Sequence, residues 1–195
     1  MLSFALEIMA RKKQYIEQVV IEKAMSLFWR NGYETTSIRM LEKEMGINQF
    51  SIYASFGSKE GVFIESIKCY QEKMKSITDK LEKSLSGTEG IKQYFYDFLE
   101  FSKETNCQKG CLVTNTFNEL GQEASPLVMK ELSKFSSQMR SLFINNLKQD
   151  SAKDAETIEI QGNYLITSML GLSLASKVLQ KNQLNDFIET AFKNL

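Results

Sequence analysis

The chain has 195 residues with 24 basic and 24 acidic side chains, no histidine, three cysteines and one proline. A chain of that length can bury a real core as one domain or two small ones, and its balanced charge advertises no polyanion partner over the whole surface. Without histidine there is no Ser-His-Asp triad, no HExxH metal site and no imidazole base, so neither an enzyme nor a resident metal or cofactor is expected.

Residues 1–10 read as an N-terminal extension. Their apolar patch has no basic segment ahead of it, which argues against a signal peptide, and Met9 before Arg11, Lys12 and Lys13 offers a second possible start. An odd cysteine count without a disulfide framework predicts a reducing compartment, the cytoplasm, and no apolar run approaches a membrane span. A first helix is predicted over residues 13–30, with Ile16, Val20, Ala24, Leu27 and Phe28 on its buried side. A second follows Thr36, read as its N-cap, and places Ile38, Leu41 and Met45 inward before Gly46 ends it in a left-handed conformation. Ile47 anchors the turn and Asn48 caps a third short helix, over 48–55, with Ile52 and Phe56 inward.

A long helix is predicted over 58–85, broken at Ser86 and Gly87, and Thr88 is read as the cap of a helix reaching 105. Residues 106–110 form a loop, 111–120 a short helix ended by Gly121, and Ser125 with Pro126 starts a helix to 147. After a break at 150–154, a long helix to about residue 180 and a last one over 184–195 complete an all-α chain.

The third helix leaves Asn48, Gln49, Phe50, Ser51, Tyr53 and Ser55 for an outer face rich in amides and hydroxyls, which suits a helix entering the DNA major groove. An ordinary helical hairpin with a polar surface is the competing reading. Between Arg11 and Val62 there are eight basic and six acidic residues, a mild local excess in keeping with DNA. Ala24, Leu27 and Phe28 precede Asn31, Gly32 and Tyr33. Then come Thr35, Thr36, Ile38, Met45, Gly46, Ile47, Ser51, Ile52, Tyr53, Phe56, Ser58, Lys59 and Glu60, in an order and spacing that resembles the DNA-binding domain of the TetR/AcrR family of bacterial transcriptional regulators.

The resemblance implies a helix-turn-helix head over 11–63, its motif at about 36–55, and an effector-binding and dimerisation body over 64–195. It implies a homodimeric regulator that binds a palindromic operator in double-stranded DNA and is a repressor released by a small-molecule effector, with no membrane partner. The helix from Asn48 becomes the recognition helix. Thr36, Arg39, Ser51, Tyr53, Ser55 and Lys59 become candidates for phosphate, Arg39 also for a base edge, and Asn48, Gln49 and Phe50 for base edges. The family often has lysine or arginine where Gln49 stands and a small residue in place of Phe50. Glutamine pairs best with adenine and a phenyl ring packs on a thymine methyl, so A·T pairs are expected at the half-site centre. Phe50 could instead be a core hydrophobe.

For the dimer, Ile158, Leu165, Ile166, Met169, Leu170, Leu172 and Leu174 give apolar coverage, with Gly162, Ser168, Gly171 and Ala175 as low points and Phe187, Ile188, Ala191 and Phe192 on the last helix. The family's C-terminal four-helix bundle agrees, although these residues could equally finish the body's own core. Tyr94, Phe98, Phe101, Phe117, Met129, Phe135 and Met139 could line an effector pocket, with Asp97, Asn115, Asn118, Glu119 and Tyr164 as polar contacts, or could be plain core. Cys107 and Cys111 flank Lys109, a cation that would favour thiolate, so a redox-sensing pair stands beside the alternative of buried, inert thiols. The competing function is a helical small-molecule or redox-sensing module with weak or lost DNA binding.

Overall fold

The computed structural model describes residues 15–104, 107–193 and 195. The extension at 1–10 and the basic residues Arg11 to Lys13 therefore lie outside the described residues. Among the described residues there are nine α-helices: α1 Glu17–Asn31, α2 Ile38–Met45, α3 Gln49–Phe56, α4 Lys59–Glu82, α5 Gly87–Phe101, α6 Leu112–Leu120, α7 Pro126–Leu147, α8 Ala155–Ala175 and α9 Lys181–Phe192. The all-α class is observed, with one small addition. Two-residue strands β1 Lys103–Glu104 and β2 Cys107–Gln108 pair antiparallel and cut α5 off four residues before its expected end.

Val20, Ala24, Leu27 and Phe28 are buried as the helical spacing predicts, joined by Ile21 and Met25. Ile16 is not among them: it sits at the N-cap with extended backbone and is 71% exposed, because the helix that would carry it inward has not yet begun. At the start of α2 the expected cap is displaced by one residue. Ser37 accepts the Met40 N–H at 3.2 Å, whereas Thr36 is fully buried and donates its hydroxyl to the Gly32 carbonyl at 2.6 Å. Ser37→Ala should therefore cost about 1 kcal/mol, read as a lower urea midpoint at unchanged slope.

Gly46 ends α2 at φ 72 with no atom within 4 Å of where a Cβ would stand, so its role is conformational rather than one of close packing. Asn48 caps α3 by accepting the Ser51 N–H, and Ser58 caps α4 by accepting the Gly61 N–H. Thr88 does not cap α5. Ser86 holds the N-cap position without a side-chain bond, and the Gly87 N–H is met instead by Gln149 Oε1 at 3.0 Å, a contact from α7's far end that no local pattern announces. Ser125 and Asp154 cap α7 and α8. α8 stops at Ala175, short of the expected 180; Val178 and Leu179 look like a continued apolar face but are exposed in a turn, and the Gln180 N–H bonds Gln183 Oε1 to open α9.

α1 and α3 pack on α4, α2 packs on α1 and α3, and Phe63 of α4 meets Phe28 and Tyr33, each at 4.8 Å between ring centroids. α4 continues into the body and packs on α5 and α7; α7 packs on α8, and α9 on α5. The body core is aromatic: Tyr94, Phe95, Phe143 and Phe192 form one cluster.

Candidate nucleic-acid interface

α3 is seated by Ile52, with Phe56 half-buried against the core. Ile52 is fully buried, and Leu41 and Met45 of α2 are buried alongside it. This leaves the opposite flank of α3 to solvent. Gln49 and Asn48 are exposed there, Tyr53 is 42% exposed and Phe50 is 80% exposed, which excludes a core role for Phe50 within the protomer. An aromatic ring left almost wholly in water at the tip of a polar helix is the most informative feature of this surface.

α2 and α3 are locked together. The Gln49 N–H donates to the Glu42 carboxylate, and Arg30 of α1 binds the Glu44 carboxylate at 3.0 Å. Both acids of α2 are thus engaged with the head itself, while Arg39 and Lys43 are exposed with no partner among the described residues.

Other expected contacts fare differently. The buried Thr36 hydroxyl is committed to Gly32, so it is not available to a phosphate. Ser51 and Ser55 are half-buried, and the Tyr15 hydroxyl bonds Ser55 Oγ at 2.7 Å, placing Ser55 toward α1 rather than on the outer flank. Lys59, the first residue of α4, is half-buried with its Nζ 4.3 Å from the centroid of the Tyr33 ring, and burial first, then Glu60 and Glu34, raise the Tyr33 pKa.

In the body, the expected pocket residues separate. Tyr94 and Phe98 are buried core, and the Tyr94 hydroxyl points to the sulfurs of Met139 and Met169 at 3.8 Å. Phe101, Phe117 and Met129 are half-buried. Tyr164 is 45% exposed on the outside of α8, so it does not reach an interior pocket. Phe135 and Met139 do border a groove of about 750 Å³ between α4 and α7, together with Met74 and Leu142. Gln71 also lines it, and its buried Nε2 has no hydrogen-bond partner among the described residues.

Of the residues expected at a dimer interface, Ile158, Leu165, Met169, Leu172, Ile188 and Ala191 are buried inside the protomer, and Phe192 packs on Phe95 at 5.0 Å. Phe187 and Leu174 are exposed, at 38% and 41%, and so is Gly171. The outward stripe of α8 joins Gly171 and Leu174 to Ile160, Tyr164 and Thr167. α8 is apolar nearly all round, so periodicity could not tell its inner stripe from its outer one.

The Cys107 side chain lies outside the described residues. Cys111 is buried at the N-cap of α6, and Cys69 is buried with its thiol pKa pushed up by desolvation and by Glu22, which disfavours the reactive thiolate. No group of histidine, cysteine or carboxylate residues suited to a metal occurs among the described residues. No helix there is long and apolar enough to cross a membrane.

The family model described as bacterial regulatory proteins, tetR family, matches residues 20–65, which spans most of α1 through the start of α4. An uncharacterised helix-turn-helix transcriptional regulator of Bacillus subtilis, YezE, is 26% identical over 194 residues, covering 96% of this chain and all of that protein. IcaR of Staphylococcus aureus, the negative regulator of a biofilm operon, is 25% identical over 124 residues, covering 60% of this chain and 67% of its own length. Among solved structures, a cysteine-substituted form of the TetR-family regulator CifR, bound to a 26-base-pair operator duplex, superimposes with a TM-score of 0.81 at 26% identity, over 94% of this chain and 98% of that one. The fold, over 94% of this chain, is thus shared with a protein solved on its operator. Residues 20–65 carry the DNA-binding domain of the tetR family of bacterial regulatory proteins, and the chain resembles TetR-family transcriptional regulators along most of its length.

Proposed function

We propose that this DNA-binding transcriptional regulator is a cytoplasmic homodimeric repressor, released from a palindromic operator by a small apolar effector. The observation that carries this reading is the flank of α3, where Gln49, Phe50 and Tyr53 stand free on a helix fixed by Ile52. CifR, similar in fold over 94% of this chain and 98% of its own, was solved with a 26-base-pair operator duplex.

One helix in one groove discriminates too little against a genome of competing sites, and two copies related by a two-fold axis solve this. The outward stripe of α8 supplies the seam: Ile160, Tyr164 and Leu174 are exposed apolar residues, and no atom lies within 4 Å of where a Gly171 Cβ would stand. The effector fits the groove between α4 and α7, where Phe135 and Met139 offer apolar contact and the unpartnered Gln71 amide offers a donor. It must prefer the arrangement with misplaced heads, since equal affinity for both arrangements would shift nothing.

Selection of bound sequences from a random duplex pool tests the reading. A palindromic product, bound with an affinity that falls steeply with salt, is expected. Salt-insensitive binding, or none, would leave only a helical binding module. In the same assay Gln49→Ala should relax preference for adenine at one position per half-site, by about 1–3 kcal/mol of discrimination. An unchanged product for that variant removes Gln49 from base reading.

A further inference from the structure

Glu119, near the end of α6, reaches out of the body and grips the head. Its two carboxylate oxygens accept the backbone N–H groups of Tyr33 and Glu34, each at 2.8 Å, in the bend between α1 and α2. Gly32 makes the approach possible: at φ 86 it turns the chain, and a Cβ there would stand 2.6 Å from a Glu119 oxygen. One carboxylate on two adjacent amides is a charge-assisted, two-pronged contact, stronger and more directional than a neutral pair.

The other end of α6 is fastened as well. The Cys111 N–H donates to Ser173 Oγ of α8 at 2.8 Å, and Trp29 Nε1 of α1 donates to the Gly110 carbonyl at 3.2 Å. Between these fastenings a cavity of about 300 Å³, bordered by Trp29, Asn31, Asn115 and Thr116, separates α6 from α1. The two helices are therefore joined at their ends rather than cemented along their lengths. Beyond the bend, Glu42 clamps α3 to α2, so the direction of the bend sets the direction of α3.

We propose that Glu119 is a positioning residue for DNA binding: a body residue that fixes the angle of the head about α4 and transmits the placement of α8 to α3. This rests on reading α3 as the DNA-contacting helix. The strut runs from buried Ser173 of α8, the helix that also carries the outward stripe, through α6 to the bend, so a change in the body has a direct route to the head.

The test uses the full chain carrying Glu119→Ala, Glu119→Gln or Glu119→Asp, and the duplex selected from the random pool. Three quantities are read: exchange of the Tyr33 and Glu34 amides without DNA, affinity for the duplex, and the dependence of that affinity on salt. Glu119→Ala should speed exchange of those two amides about tenfold or more while α3 stays protected. It should also weaken the duplex about tenfold with a shallower salt dependence, because the two heads no longer engage all their phosphates together. Glu119→Gln keeps one anionless acceptor and should fall between; Glu119→Asp, shorter by one methylene, should rescue part of both effects.

Unchanged exchange in Glu119→Ala overturns the grip. Faster exchange with unchanged affinity and salt dependence overturns the positioning role, and a purely structural residue would lower only the urea midpoint. Failure of the unaltered protein to hold any duplex sinks the DNA reading itself, and that control separates the two failures.

Discussion

Glutamate at both Tyr164 and Leu174 is expected to yield folded monomers that hold the operator about 10²–10⁴-fold more weakly, the loss that follows when two linked half-site contacts become one. The two residues are 45% and 41% exposed and lie on one stripe of α8, about three turns apart, on either side of Gly171. Each protomer's own packing does not need them, because α8 buries its opposite stripe, Ile158, Leu165, Met169 and Leu172, against the body. In a two-fold seam every introduced charge meets its copy or is desolvated against apolar surface, and either outcome opposes association. Light scattering reads the mass and fluorescence anisotropy reads the duplex affinity. A variant that stays dimeric places the seam elsewhere. A monomer that binds the full operator as tightly as before removes the need for two half-sites.

Phe95→Ala should destabilise the protein by about 3–5 kcal/mol, a large share of the 5–15 kcal/mol that typically separates folded from unfolded chains. Phe95 is fully buried, edge-on to Phe192 at 5.0 Å and near Phe143 and Tyr94 at 6.0 and 6.3 Å. Its removal opens a void between α5, α7 and α9, and α9 has few other holds on the body. Urea unfolding should show a midpoint far below that of the unaltered chain. Phe50→Ala makes the informative contrast: the same side chain at 80% exposure should shift stability by less than about 0.5 kcal/mol while altering duplex binding. Equal stability losses at the two positions would refute this division of the aromatic residues into scaffold and contact surface.

Local chemistry made the head legible. Gly46 had to be left-handed, Asn48 had to cap and Ile52 had to face inward, because each decision is made within one turn of helix. Thr36 and Ser37 show where that reach ends. Three hydroxyl residues stand in a row at Thr35, Thr36 and Ser37, each chemically able to cap, and only the packing of the bend against Gly32 decides that Thr36 turns inward. The body was less legible for the same reason at longer range. α8 is apolar on both flanks, so its inner and outer stripes exchange roles without offending any periodicity. Gln149 meeting the start of α5, and Glu119 meeting the bend after α1, lie more than sixty residues from their partners, and no spacing along the chain encodes them.

Glu42 at the mouth of α3 has a consequence for how a duplex can be approached. The free amide at the amino end of a helix ordinarily welcomes a nucleic-acid phosphate, but here that seat already holds a tethered anion. A strand of phosphates driven toward that end meets like charge, whereas Arg39 and Lys43 stand exposed on the neighbouring helix. On the proposed reading the rod lies along the groove on its side, Phe50 and Tyr53 leading, with Arg39 and Lys43 of α2 rather than its own tip facing the sugar-phosphate rails.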